Sequence, residues 1–251
     1  MLKRADLKTP LPLYYIGPDL TEGPLPCVFY FALSAKETLL TDPFNQPVSH
    51  LKNHALRIFS IDLPYHGENL PATEALKLWA QAFARGEDVL GDFLLDLKRS
   101  ITMLLATGSI ETSRIAAAGL SRGSFIASHI AAKFPEISTL LTFAPLTHLD
   151  AILEFDFLSP SPLIKNLNIS FLTEALSTKS IKAYIGGRDS RVGTDLCYKW
   201  IRELIEAAYE KNIRSPQIEL VLKPSIGYLG HGTSKESFEE GAKWLKEQLK
   251  M

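Results

Sequence analysis

Residues 116–134 read AAAGLSRGSFIASHIAAKF and contain the pattern that decides the fold. Apolar residues lead up to Ser121, which stands between Gly119 and Gly123 in a G-x-S-x-G pattern, and an amphipathic helical pattern follows. Such a serine sits on a sharp turn between a strand and a helix, where close neighbouring backbone requires glycine on either side. The stretch therefore predicts a serine hydroxyl held above a sheet; the competing interpretation is a glycine-rich turn with an N-capping serine.

The rest of the chain alternates between two kinds of segment. Runs rich in β-branched and aromatic residues, bounded by turn residues, predict strands at 11–17, 26–33, 55–64, 113–120, 138–145, 181–189 and 217–224. Segments of helical period lie between most of them, at 72–107, 122–135, 192–212 and 234–250. This alternation predicts the α/β class, with a doubly wound, mostly parallel central sheet flanked by helices on both faces.

Domain organisation follows from the length of the chain. At 251 residues, a single domain over 1–251 is the expectation. Residues 146–178 are less regular and contain a Ser-Pro-Ser-Pro turn, which predicts a small helical, lid-like insertion within that domain.

Composition and charge exclude several function classes. A formal net charge of −1 gives no electrostatic reason to expect nucleic acid or an anionic membrane as a partner. Two cysteines in so long a chain, Cys27 and Cys197, indicate a reducing compartment and packed thiols rather than a disulfide scaffold or a metal site. No signal-peptide core or long apolar span is present in the sequence, so we expect a cytoplasmic protein. Composition and charge do not indicate an oligomeric state.

A serine needs a base to take its proton and a carboxylate to orient that base. Two suitable residues follow Ser121 in the chain: Asp189, in the loop just past a predicted strand, and His231, between two glycines past the last predicted strand. Asp195, on the helical segment after that loop, and Asp156, in the insertion, compete with Asp189 for the role of the acid. We predict Ser121, Asp189 and His231 as nucleophile, acid and base.

With these three positions in place, the chain resembles the α/β-hydrolase superfamily over nearly its whole length, in its serine esterase, dienelactone hydrolase or prolyl-oligopeptidase-like branches. The run DLPYHG at 62–67 is similar to the D-x-P-G-H-G run that many members carry. The resemblance implies that this run shapes a turn, and that His66, which precedes the serine, is structural.

The resemblance also implies an oxyanion hole of two backbone N–H groups, one of them from Arg122 at the start of the helix. The second normally comes from a His-Gly-x loop, but residues 28–39 read VFYFALSAKETL and contain no His-Gly. The segment from Ala32 to Ser34 is the candidate, with Leu33 as the predicted donor. The side chains of Arg122, Arg188 and Arg191 are expected to be ordinary surface cations, although each has a second interpretation as a contact for an acidic substrate.

The function that the resemblance implies is a serine hydrolase acting on a small or medium carboxylic ester, a small-molecule substrate, with neither cofactor nor metal. Peptide, amide or thioester hydrolysis on the same fold is the first alternative, because the catalytic groups are shared and the pocket decides the substrate. A binding module that retains the fold without catalysis is the second, and the atypical Phe31-Ala32-Leu33-Ser34 loop is the reason to consider it.

Overall fold

The computed structural model describes residues 1–67, 70–158 and 161–251. These residues form one sheet of eight strands: β1 (Lys3–Arg4), β2 (Tyr14–Ile16), β3 (Leu25–Phe31), β4 (Arg57–Ser60), β5 (Ile110–Leu120), β6 (Ile137–Phe143), β7 (Ser180–Gly186) and β8 (Ile218–Lys223). Their order across the sheet is β1-β2-β4-β3-β5-β6-β7-β8. Strands β3 to β8 are parallel to one another, whereas β2 pairs antiparallel with both β1 and β4 at one edge.

Helices cover both faces of this sheet. Their bounds are α1 (Ala35–Leu40), α2 (Gln46–Leu51), α3 (Ala72–Ala84), α4 (Val89–Leu105), α5 (Arg122–Lys133), α6 (Pro162–Lys165), α7 (Thr173–Leu176), α8 (Thr194–Glu210) and α9 (Lys235–Gln248). Buried side chains of α3, α4, α5 and α8 belong to one hydrophobic cluster, and those of α1, α2 and α9 belong to another.

The central strand β5 shows why two clusters form. Successive side chains of a strand point to opposite faces of the sheet, and Ile115 and Ala117 join the first cluster while Ala116 and Ala118 join the second. All four residues are fully buried. The apolar run before Ser121 is therefore continuous because helices cover both of its faces.

The predicted fold class is confirmed, and a strand is found within or across each of the seven predicted strand segments. The helical segment predicted at 72–107 is wrong as a single unit. The chain breaks it into α3 and α4 at Gly86, whose φ is 79°, and Asp88 caps the new helix by accepting from the Gly91 N–H at 2.9 Å. The two-residue strand β1 and the short helices α1 and α2 had no sequence prediction.

The segment 146–178 consists of short helical turns over its described residues, since Ser159 and Pro160 lie outside them. Besides α6 and α7 it forms 3₁₀ turns at Leu149–Ala151, Leu153–Leu158 and Ile169–Leu172. Ile152, Phe155 and Ile164 are buried in the same cluster as the helices on that face of the sheet. The insertion is thus packed into the main core, and its role as a lid stays a prediction.

Both cysteines are free and buried, as the sequence predicts. Within the part of the chain that the structure describes, no helix combines the length and the apolar character needed to cross a membrane.

Candidate active site

Ser121 stands on a strained turn between β5 and α5. Its φ of 54° and ψ of −117° lie outside the regions that side-chain-bearing residues favour, and its own N–H donates to the Phe143 carbonyl of β6 at 2.8 Å. A Cβ on Gly119 would lie 2.3 Å from the Gly123 backbone, and one on Gly123 would lie 1.9 Å from the Phe31 carbonyl oxygen of β3. The two glycines therefore allow strand, turn and helix to pack backbone against backbone.

Asp189 lies in the loop after β7, where the structure makes it an acceptor for three donors. Its Oδ1 accepts from the N–H groups of Arg191 at 2.9 Å and Val192 at 3.1 Å. Its Oδ2 lies 2.7 Å from His231 Nδ1, and its side chain is fully buried. The carboxylate is thereby held in one orientation by the backbone of its own loop.

His231 follows a 3₁₀ turn, Tyr228–Gly230, in the loop after β8. A Cβ on Gly230 would lie 2.2 Å from the Arg188 carbonyl oxygen, so this loop packs directly on the loop of Asp189. The His231 Nε2 lies 2.8 Å from Ser121 Oγ. Because Nδ1 faces a carboxylate, it carries the ring proton, and Nε2 is left to accept the proton of the serine hydroxyl.

The structure thus brings together the serine, histidine and aspartate that the sequence selects. The competing carboxylates are elsewhere: Asp195 is exposed on the first turn of α8, and Asp156 is exposed in the insertion. Burial of Asp189 against His231 distinguishes it from both.

The loop after β3 corrects the choice of Leu33 as the second oxyanion donor. The Leu33 N–H donates to the Thr38 hydroxyl at 3.0 Å, and the Ser34 N–H donates to Glu37 at 3.2 Å. The Ala32 N–H makes no hydrogen bond to any other described residue. Within the predicted segment, the open donor is therefore Ala32, and Thr38 is the residue that sequence reasoning missed.

The position of Ala32 supports this assignment. It follows directly on Phe31, whose carbonyl oxygen touches Gly123, and both it and Arg122 line the cavity above Ser121. The Arg122 N–H belongs to the first turn of α5, where it has no acceptor within the helix. The residues that carry these two backbone donors accordingly line the same cavity as Ser121.

A cavity of about 250 Å³ opens above the serine. Apolar side chains form most of its walls, and the polar groups in it are those of Ser121, His231, Thr233 and two arginines, Arg122 and Arg191. Arg191 forms an ion pair with Glu154 of the insertion at 2.6 Å. Both arginines, expected to be surface cations, line this cavity instead.

The run at 62–67 stabilises the loops around the site. Asp62 Oδ1 accepts from the Ala35 N–H at 2.7 Å, which fixes the start of α1. His66 is buried, and its Nδ1 lies 2.9 Å from the Pro64 carbonyl oxygen. Its Nε2 lies 3.1 Å from Arg122 Nη1, so His66 contacts the arginine beside the nucleophile rather than the serine.

Within residues 1–67, 70–158 and 161–251, no group of three or more His, Cys, Asp or Glu side chains is arranged to hold a metal ion. The chemistry that this arrangement supports is proton transfer from a serine hydroxyl through an imidazole, next to two backbone donors.

No protein-family model and no curated protein matches the sequence. Solved structures do match. TT1662 from Thermus thermophilus has a TM-score of 0.70 and 16% identity, covering 100% of this chain and 99% of that chain. A protein assigned as a dienelactone hydrolase from Klebsiella pneumoniae has a TM-score of 0.67 and 14% identity, with coverage of 100% and 98%. The esterase Pf2001 from Pyrococcus furiosus has a TM-score of 0.66 and 18% identity, with coverage of 100% and 92%.

At these identities the likeness concerns the fold. Together with the strand order and the turn at Ser121, it shows that the chain has the α/β-hydrolase fold, in agreement with the resemblance found in the sequence.

Proposed function

We propose that this protein is a serine hydrolase that cleaves a small or medium carboxylic ester through an acyl-enzyme. The observation that carries the proposal is the chain of two hydrogen bonds from Ser121 Oγ to His231 Nε2 at 2.8 Å and from His231 Nδ1 to Asp189 Oδ2 at 2.7 Å. The names of the similar esterase and dienelactone hydrolase structures agree with hydrolysis of esters.

In the first half of the reaction, Ser121 Oγ attacks the ester carbonyl carbon while His231 Nε2 takes the hydroxyl proton. Negative charge develops on the carbonyl oxygen, where the N–H groups of Ala32 and Arg122 stabilise it. The C–O bond to the alcohol then breaks, and the imidazolium returns the proton to the departing oxygen. Asp189 keeps the imidazole oriented and stabilises its positive charge.

In the second half, water attacks the acyl-enzyme, and its proton goes to His231 Nε2. The bond to Ser121 Oγ breaks, the serine recovers the proton, and the carboxylic acid leaves. Each step uses the same three side chains and the same two backbone donors.

The cavity supports a substrate of limited size. Its volume of about 250 Å³ is below the roughly 300–1,000 Å³ of pockets that enclose drug-sized ligands. The walls around the serine include Leu76, Leu146, Ile152 and Val192, which favour an apolar chain. We therefore expect short acyl chains to be hydrolysed better than long ones.

The test is hydrolysis of a series of p-nitrophenyl esters, from acetate to a long-chain acyl group, at pH 7 to 8. Ser121→Ala is expected to reduce kcat/KM by at least about 10⁴-fold, whereas Ser113→Ala, an exposed serine on β5, leaves it unchanged. Equal rates in the wild type and Ser121→Ala would contradict the proposal. A fluorophosphonate probe that labels the wild type but not Ser121→Ala would exclude the alternative of a non-catalytic binding module.

A further inference from the structure

Arg122 lines the same cavity as Ser121, and the contacts of its partly buried guanidinium are unusual for a cation. Its Nη1 donates to the Ala72 carbonyl at 2.8 Å and to His66 Nε2 at 3.1 Å, and both acceptors are uncharged. No carboxylate of the described residues forms an ion pair with it, and no described residue accepts a hydrogen bond from its Nε or Nη2. Within the described part of the chain, the edge of the guanidinium formed by Nε and Nη2 is therefore open.

His66 fixes the other edge. Burial and the nearby Arg122 charge lower the pKa of His66 to about 4, so the ring is neutral at neutral pH. Because its Nδ1 faces the Pro64 carbonyl oxygen and carries the ring proton, Nε2 is an acceptor for Arg122 Nη1. The histidine thus orients the guanidinium without neutralising it.

Among the described residues no carboxylate forms an ion pair with this cation, and Glu154 and Glu37 act on it only from a distance. Burial and the nearby Arg191 lower the pKa of Arg122 to about 10, so it remains protonated at neutral pH. Glu154 binds Arg191 at 2.6 Å, and Glu37 accepts from the Ser34 N–H at 3.2 Å. The Asp189 carboxylate is bound by His231 and two N–H groups. A cation partly removed from water without a paired anion is unfavourable, and an anionic ligand removes that penalty.

We propose that the substrate carries a carboxylate that binds the open edge of the Arg122 guanidinium while its ester carbonyl lies at Ser121. This inference rests on the proposed function and narrows its substrate class to short esters with one free acid group. Guanidinium and carboxylate are matched for two parallel N–H···O bonds. The small cavity requires the acid group to be only a few bonds from the ester.

Two pairs of esters test the proposal, each pair differing only in a carboxylate against a carboxamide. The first pair carries the difference on the acyl side (mono-4-nitrophenyl glutarate and its 4-carbamoylbutanoate analogue) and the second on the alcohol side (4-butyryloxybenzoate and 4-butyryloxybenzamide). The quantity compared is the ratio of kcat/KM within a pair, after subtraction of spontaneous hydrolysis. Because both members share the catalytic groups, general damage to the turn at Ser121 cancels in this ratio.

We expect the wild type to prefer the carboxylate of one pair by about ten-fold or more. Arg122→Met reduces this ratio to about one, and Arg122→Lys retains part of the preference. The matched control is Arg188→Met, which removes an exposed arginine near the site and keeps the wild-type ratio. A wild-type ratio of one or less in both pairs, or an unchanged ratio in Arg122→Met, would overturn the proposal.

A binding measurement tests the carboxylate site independently of ester hydrolysis. In Ser121→Ala, which leaves the esters intact, calorimetry should detect the acid of one ester pair binding more tightly than its amide, and adding Arg122→Met should abolish the difference. That result stands even if the protein hydrolyses no ester. Absence of any preference for the acids in Ser121→Ala would count against the carboxylate site, whatever the ester kinetics show.

Discussion

Asp189 is the residue whose hydrogen bonds leave least freedom for substitution. One oxygen accepts from two backbone N–H groups and the other contacts His231, so the carboxylate orients the imidazole and sets its tautomer. An asparagine would keep the shape of the side chain while presenting an N–H donor where an acceptor is needed.

For Asp189→Asn we expect kcat/KM to fall by about 10²- to 10⁴-fold, because the wrong tautomer leaves Nε2 protonated and unable to accept the Ser121 proton. Asp195→Asn is the matched control, since Asp195 is exposed at the start of the next helix. Steady-state kinetics on a short p-nitrophenyl ester measures both. Loss of activity in Asp195→Asn with retention in Asp189→Asn would reverse the assignment of the acid.

The sequence predicts that Ser121, Asp189 and His231 lie together, because their order along the chain and their places after strands are set by topology, and the structure places them within hydrogen-bond distance. The sequence does not decide which N–H of the loop after β3 is left without an acceptor. Leu33 and Ala32 are adjacent, and the choice between them depends on the Thr38 hydroxyl taking the Leu33 N–H, a contact that no sequence pattern encodes. Single hydrogen bonds between loop and helix decide such details.

Among the structural elements, the contact between α5 and the end of β3 positions the site. Gly123 of α5 lies against the Phe31 carbonyl, and the following residue, Ala32, supplies the proposed second donor. The distance between serine and donor thus depends on a contact that only glycine permits.

Gly123→Ala should therefore lower the free energy of unfolding by on the order of 3 kcal/mol or more, since the added Cβ meets backbone that cannot move independently. Gly187→Ala is the control, because a Cβ there meets only the Lys223 carbonyl oxygen at an ordinary 3.7 Å. Urea unfolding at pH 7 measures the difference. Equal stabilities of the two variants would show that β3 and α5 are not held as closely as described.

The insertion offers a second test at this scale. Phe155 is fully buried and lies 6.0 Å, centroid to centroid, from Phe83 of α3, whereas Phe157 is 65% exposed. Phe155→Ala is expected to lower the free energy of unfolding by about 3–5 kcal/mol, and Phe157→Ala by less than about 0.5 kcal/mol. If the insertion were an independent lid, global unfolding of Phe155→Ala would match that of the wild type.

The stability of the whole molecule is expected to fall in acid, because two of its histidines are buried. Burial lowers the pKa of His129 from 6.5 to about 4, and its Nε2 lies 2.8 Å from the Leu167 carbonyl oxygen of the insertion. His66 has a pKa lowered to about 4 as well. Between pH 6.5 and 4 the unfolded chain therefore binds protons that the folded chain does not, so stability falls as the pH is lowered through this window.

His129→Gln keeps a side-chain donor near Leu167 without a group that titrates in this window. We expect its loss of unfolding free energy between pH 7 and pH 4.5 to be smaller than that of the wild type by on the order of 2 kcal/mol. The control, His54→Gln, changes an exposed histidine and should lose as much as the wild type. Identical losses in all three proteins would show that His129 titrates equally in the folded and unfolded chain.

The sequence predicts the architecture of the whole molecule better than it predicts the short elements or the contacts in the site. Alternation of strand and helix patterns predicts a parallel sheet with two covered faces, since each covered strand must be apolar on both sides. The hydrophobic pattern did not predict the break between α3 and α4, because the helical period continues on either side of Gly86 and Asp88, where the break occurs. Short elements such as β1 were not predicted, because two residues are too few to show a hydrophobic period.

The order of the sheet has a consequence for how the protein loses activity. Strand β8 lies at the edge of the sheet, where β7 is its one partner among the described residues, and the loop that follows β8 carries His231. Strands held on one side open more readily than strands held on both. Fraying of this edge would withdraw His231 from Ser121 while the central strands remain paired, so we expect the proposed activity to be lost at a lower temperature than the fold.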